Sequence, residues 1–242
     1  MARIPKNPEE IFPEITEDYR QIFGDSLVSI ILYGSGASDD YRPGISDLNF
    51  LLILDDAGLE NLERAISPAK KWKSRKVDAP LIMTQSDMNS SLDSYPVEFL
   101  NMKNSYLLVY GEDVLQSLSF DLEALRLQIE RELKGKLFLL RKSYLDTEGK
   151  EGTLRRLVAK SLTAFTALFE ALLYLRGREI PSSRRGVIKA MAWAFPIIDP
   201  EVFLRCADIR EGEDHCSASE LDRLVKSCMK EIGKLCDSVD RL

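Results

Sequence analysis

A single histidine and only two tryptophans stand among the 242 residues, and no cysteine occurs before position 206. The four cysteines, Cys206, Cys216, Cys228 and Cys236, contain no Cys-x-x-Cys pair, so a zinc site of ordinary ligand spacing is not expected. Cys228 and Cys236 fall on the apolar stripe of a predicted helix and read as buried thiols of a reducing compartment, the cytoplasm. Long hydrophobic runs are also missing: residues 50–54 form one of the longest, against the roughly 20 apolar residues a membrane span needs. The opening Met1-Ala2-Arg3-Ile4-Pro5-Lys6 leads into acidic, proline-broken sequence and does not read as a signal peptide. No membrane partner is therefore expected. Basic excess is absent as well. With 33 Lys and Arg against 39 Asp and Glu, the net charge of −6 argues against general nucleic-acid binding. What remains is a folded chain: 45% hydrophobic and 30% charged residues together exclude disorder.

The apolar periodicity changes once along the chain. Ile15, Tyr19, Ile22 and Phe23 predict a short helix, and residues 27–33 a strand buried on both faces. Residues 49–54 predict a second such strand after the turn signal Arg42-Pro43-Gly44. Leu59, Leu62, Ala65 and Ile66 predict a helix ending before Pro68, and Leu81-Ile82-Met83 a third strand. Val97-Glu98-Phe99-Leu100 fits either a fourth strand or the start of a helix. From Asp121 onward the period is helical. Leu122, Leu125, Ile129, Leu133, Leu137, Leu140 and Tyr144 form one stripe, and residues 154–172, 184–194 and 221–239 give further helices. Phe203 and Leu204 lie on a short one between them. The expected fold class is α+β: a small mixed-sheet domain over residues 1–118, then an all-α helical bundle over 119–242. Exposed faces of that bundle leave a homodimer open.

The segment that carries chemistry is Leu32-Tyr33-Gly34-Ser35-Gly36, followed by Ser46-Asp47-Leu48-Asn49-Phe50. A strand ending in Gly-Ser lets the backbone approach a phosphate, with the Ser35 hydroxyl as a donor. Asp47 and Asn49 are two apart, so on a strand they face the same side. Two acids at such positions, with a third from a neighbouring strand, would hold two Mg²⁺ ions for in-line transfer of a nucleotidyl group. Asp78, in Lys76-Val77-Asp78, is the third acid by position, and Glu98 is a second candidate.

Residues 32–54 resemble the signature of the DNA polymerase β-type nucleotidyltransferase superfamily: Gly-Ser, a loop of about a dozen residues, then acid–apolar–acid–apolar. The layout with a helical C-terminal part is similar to the aminoglycoside (streptomycin/spectinomycin) nucleotidyltransferases. This resemblance implies that Gly34, Ser35 and Ser46 bind the nucleotide and that Asp47 and Asn49 lie at the metal positions. Asp78 or Glu98 would then be the base that takes the proton of the acceptor. It further implies an NTP as substrate or ligand, Mg²⁺ as cofactor, and transfer of a nucleoside monophosphate to an unidentified hydroxyl acceptor. The sequence departs from the pattern at Asn49. An amide brings no charge to a hard cation, so the alternative is a catalytically impaired nucleotide-binding or interaction protein of the same fold. Asp39 or Asp40 in the preceding loop is a candidate replacement ligand, on sequence proximity alone.

Three weaker signals complete the reading. Arg210 and His215 echo the Arg-x(4–6)-His motif of HEPN helical domains, some of which cut RNA; the bland reading is an inter-helix loop. The run Lys70-Lys71-Trp72-Lys73-Ser74-Arg75-Lys76 can touch phosphates and stack on a base, but such runs are more often solvated faces. Arg184 and Arg185 sit at a predicted helix start and are candidates to reach a triphosphate across the domain cleft.

Overall fold

The computed structural model describes residues 3–242; Met1 and Ala2, which open the expected first domain and the stretch read for a signal peptide, lie outside the described residues. The chain divides into two compact units, Met1–Phe120 and Asp121–Leu242. Asp121 starts the second unit as a helix N-cap, its carboxylate accepting the Ala124 N–H at 2.8 Å.

In the first unit the order is α1 (Phe12–Phe23), β1 (Leu27–Tyr33), β2 (Asn49–Leu54), α2 (Asp56–Leu59), α3 (Ile66–Lys73), β3 (Leu81–Thr84), α4 (Gln85–Ser91), α5 (Pro96–Asn104) and β4 (Tyr106–Gly111). The strands form one sheet in the order β3-β2-β1-β4. β1 pairs antiparallel with β2 and with β4, whereas β2 and β3 are parallel. The small mixed sheet followed by a helical region is the α+β class expected.

Alternation sets the two faces of the sheet. Ile30 and Leu32 of β1, with Phe50, Leu52 and Leu54 of β2, pack into one core with Ile15, Tyr19 and Phe23 of α1 and Trp72 of α3. Ile31, Leu51 and Ile53 point the other way and are buried too. This is why both strands read as continuous apolar runs rather than as alternating ones.

Of the two readings open for residues 97–100 the helix is the one found: they belong to α5, with Pro96 in the first helical turn, where its missing N–H costs no hydrogen bond. The same effect overturns the helix expected to stop before Pro68. Its residues split into α2, a 3₁₀ turn (Leu62–Ala65) and α3, with Pro68 inside the first turn of α3. The fourth strand is β4, whose run Tyr-Leu-Leu-Val-Tyr-Gly carries β-forming residues but is only half buried, without alternation.

The second unit comprises α6 (Leu122–Asp146), α7 (Glu151–Leu175), α8 (Arg184–Ala194), α9 (Pro200–Glu211) and α10 (Ala218–Val239). α7 touches each of the other four helices. It is the one described helix long and apolar enough to cross a membrane, by length and composition alone, and half of its most apolar stretch is buried inside the protein. Its Phe169 meets Phe203 of α9 edge to face, with centroids 5.0 Å apart. All four cysteines are free and buried, and the Cys206 and Cys228 sulfurs lie 3.3 Å apart. The buried carboxylate of Glu231 accepts the Asp199 N–H at 3.0 Å and Lys234 Nζ at 2.8 Å, so its charge is paired inside the unit.

Candidate functional site

β1 ends at Tyr33, and the chain enters a 3₁₀ turn, Gly34–Ala37. Gly34 has φ +73°, in the left-handed region that favours glycine. Both of its backbone groups are held by Ser105, between α5 and β4: the Gly34 N–H donates to the Ser105 carbonyl at 2.9 Å, and the Ser105 hydroxyl donates to the Gly34 carbonyl at 3.1 Å. Gly36 is required by space. A Cβ there would lie 2.7 Å from Leu48 Cδ2 and 3.2 Å from Leu32 Cδ1, on side chains with no exposed surface. Gly36→Ala is therefore expected to destabilise the first unit by about 1–3 kcal/mol, an overpacking cost measurable as a lower urea midpoint at unchanged slope.

Four of the residues expected at the site converge on the sheet face opposite α1. Asn49 pairs directly with Tyr33, and a Cβ on Gly34 would be 3.9 Å from Asn49 Nδ2. Asp47 lies two before Asn49, separated from it by the fully buried Leu48. Leu48 forms a parallel bridge with Val77: its N–H donates to the Lys76 carbonyl at 2.8 Å, and its carbonyl accepts the Asp78 N–H at 3.0 Å. Leu48 and Val77 both join the core, so Asp47, Asn49, Lys76 and Asp78 fall on the other face. Asp78 is close enough to Tyr33 for its charge to count. Burial, and after it the Asp78 carboxylate, pushes the Tyr33 phenol above its usual range, so the hydroxyl keeps its proton.

Lys76 entered the sequence reading only as the end of the basic run that can touch phosphates, not as a neighbour of Asp47. Its Nζ lies 3.3 Å from Asp47 Oδ1 in an ion pair whose side chains are 41% and 47% exposed. The sequence offers one hint, the two-residue spacing of Lys76 and Asp78 around buried Val77. Ser46, expected to bind nucleotide, lies in the turn before β2, where its hydroxyl accepts the Arg42 N–H at 3.0 Å. Ser35 is half-buried in the 3₁₀ turn, its carbonyl accepting the Ser38 hydroxyl at 3.3 Å. Glu98 is exposed in the first turn of α5, not at the end of a strand. Asp39 is exposed and Asp40 half-buried just after the Gly34–Ala37 turn.

The donor set does not fit two metal ions. It offers the Asp47 carboxylate, already paired with an ammonium, the neutral amide of Asn49, and Asp78. Among the described residues no group of three or more His, Cys, Asp or Glu side chains is arranged to hold a metal ion.

The other basic segments are engaged within their own units. Trp72 is fully buried, so its ring is not offered to a base, and Lys71 and Arg75 pair with Glu14 and Asp18 of α1. Arg185 is held by Asp208, Glu211 and Glu213. Arg210 lies on α9 rather than in a loop, and its guanidinium donates to the Ala159 carbonyl at 3.0 Å, whereas His215 is exposed beyond the helix.

No protein-family model and no curated protein sequence matches this chain. A solved structure does: spectinomycin adenyltransferase AAD(9) from Enterococcus faecialis, crystallised with ATP and spectinomycin, at a TM-score of 0.54 and 15% identity. The match covers 91% of this chain and 99% of that one. At that identity the likeness is one of fold, and the chain adopts a nucleotidyltransferase-like fold.

Proposed function

We propose that this protein binds a nucleotide at the Gly34 turn and has lost most or all of the transfer chemistry associated with its fold. The observation that carries this reading is Asn49. It stands beside the glycine turn and opposite Tyr33, where the resemblance places a second metal-binding acid. With an amide there, too few carboxylates remain to anchor the two divalent ions that would offset the charge on a transferring nucleotidyl group. The ATP bound to the AAD(9) structure supports a nucleotide as the ligand.

One observation favours the competing reading, a working Mg²⁺-dependent transfer of a nucleoside monophosphate to a hydroxyl acceptor. Asp78, the proposed base, lies on the same face as Asp47 and beside Tyr33. Pyrophosphate release separates the two. With Mg²⁺, each of the four common NTPs, and spectinomycin as a trial acceptor, the wild-type protein is expected to stay at background, while calorimetry registers ATP binding. Asn49→Asp restores a carboxylate and is expected to raise pyrophosphate release by about tenfold or more. Wild-type turnover near the usual enzyme range, of order 1 s⁻¹ or more, would refute the impaired reading.

A further inference from the structure

Lys76 is one of two non-glycine residues with positive φ among the described residues, at +64°. This is the left-handed residue of a Schellman-type turn that ends α3, in which the Val77 N–H donates to the Trp72 carbonyl at 3.4 Å. The conformation is fixed on both sides: the Lys76 carbonyl accepts the Leu48 N–H at 2.8 Å, and its own N–H donates to the Lys73 carbonyl at 3.3 Å. The result is an ammonium set against Asp47, on the face that carries Asn49, Asp78 and the Gly34 turn.

We propose that Lys76 is a built-in cation for this site: its ammonium takes the charge role of a metal ion at Asp47 and binds the nucleotide's phosphates directly, without Mg²⁺. The inference rests on the nucleotide-binding reading above. Three features agree with it. Asn49 removes one anchoring charge of a two-metal site, and Lys76 neutralises the acid that remains. An ammonium has three donors, and the contact to Asp47 is a long one at 3.3 Å, on a side chain 41% exposed. A phosphate oxygen would give such a donor a second charge-assisted bond beside the one to Asp47. Lysine serves this purpose as a point charge and needs no bidentate geometry.

The test is ATP binding by calorimetry, in EDTA and in excess Mg²⁺, with wild-type protein, Lys76→Gly and Lys76→Arg. Glycine suits φ +64°, so the first variant removes the ammonium while favouring the backbone, and its fold is checked by circular dichroism. Wild type is expected to bind ATP in EDTA at least as tightly as in Mg²⁺. Lys76→Gly is expected to lose about tenfold or more of the affinity in EDTA, with Lys76→Arg retaining most of it. Wild-type binding that needs Mg²⁺, or an unchanged affinity of Lys76→Gly in EDTA, overturns the role of Lys76 and leaves the nucleotide reading standing. No ATP binding in either buffer overturns the nucleotide reading itself, and the inference falls with it.

Discussion

Gly111→Ala is expected to destabilise the first unit by about 3 kcal/mol or more, the upper part of the range for a single substitution. Gly111 ends β4 at φ +78°, and a Cβ there would lie 1.9 Å from the Val28 carbonyl oxygen and 2.9 Å from the Val28 carbonyl carbon. These are backbone atoms of β1, a strand paired on both edges, so no side chain can swing aside. The same carbonyl accepts the Glu112 N–H at 3.2 Å, and the buried Ser29 hydroxyl donates to the Glu112 carbonyl at 2.8 Å. Moving β4 away to admit a methyl group would strain both bonds and leave Ser29 without an acceptor, a cost that adds to that of the positive φ. Urea unfolding followed by Trp72 emission checks this in a Trp193→Phe background, because Trp193 belongs to the second unit and is 67% exposed. A loss below about 1 kcal/mol would contradict the close approach.

Trp72→Ala is expected to cost about 3–5 kcal/mol, the range for emptying a buried aromatic site. The ring has no exposed surface, and its Nε1–H donates to Asp18 Oδ2 at 2.8 Å. The Arg75 guanidinium lies 4.7 Å from the ring centroid and Lys71 Nζ 5.3 Å, and both cations also pair with acids of α1. Trp72 thus joins α3 to α1 through packing and one hydrogen bond, and the two cations held against its ring add ion pairs to α1. Trp72→Phe keeps the packing but loses the hydrogen bond, and is expected to cost far less, about 1–2 kcal/mol. Far-ultraviolet circular dichroism against urea distinguishes the two variants without relying on the missing fluorophore. Equal losses for both would mean that the hydrogen bond, and not the buried ring, fastens α3.

Trp72 also marks where sequence reading reaches its limit. Its neighbours are five Lys and Arg residues and one serine, so local composition suggests an exposed basic face, yet helical geometry turns this one ring inward. The strands β1 and β2 were legible because burial on both faces leaves uninterrupted apolar runs, and α6, α7 and α10 because their stripes repeat over many turns. β4 escaped notice because its half-buried edge position erases alternation, and α3 because Pro68 breaks a helix only beyond its first turn. At the candidate site, Gly34, Asp47 and Asn49 could be placed from spacing along two adjacent strands. Lys76 could not. Its approach to Asp47 depends on a bridge between Leu48 and Val77 and on a left-handed backbone that lysine does not advertise.

The latch between Gly34 and Ser105 has a consequence for how the turn meets anything that binds it. Because the N–H and the carbonyl of Gly34 are both held in place, the segment at the end of β1 is ordered before encounter. A mobile glycine loop would first have to give up the freedom of several backbone angles, at about 1–2 kcal/mol of conformational entropy for each residue fixed. This turn has given up that freedom during folding. A nucleotide binding there, as proposed above, would meet an already ordered turn, and its association would be governed by diffusion and charge rather than by loop closure.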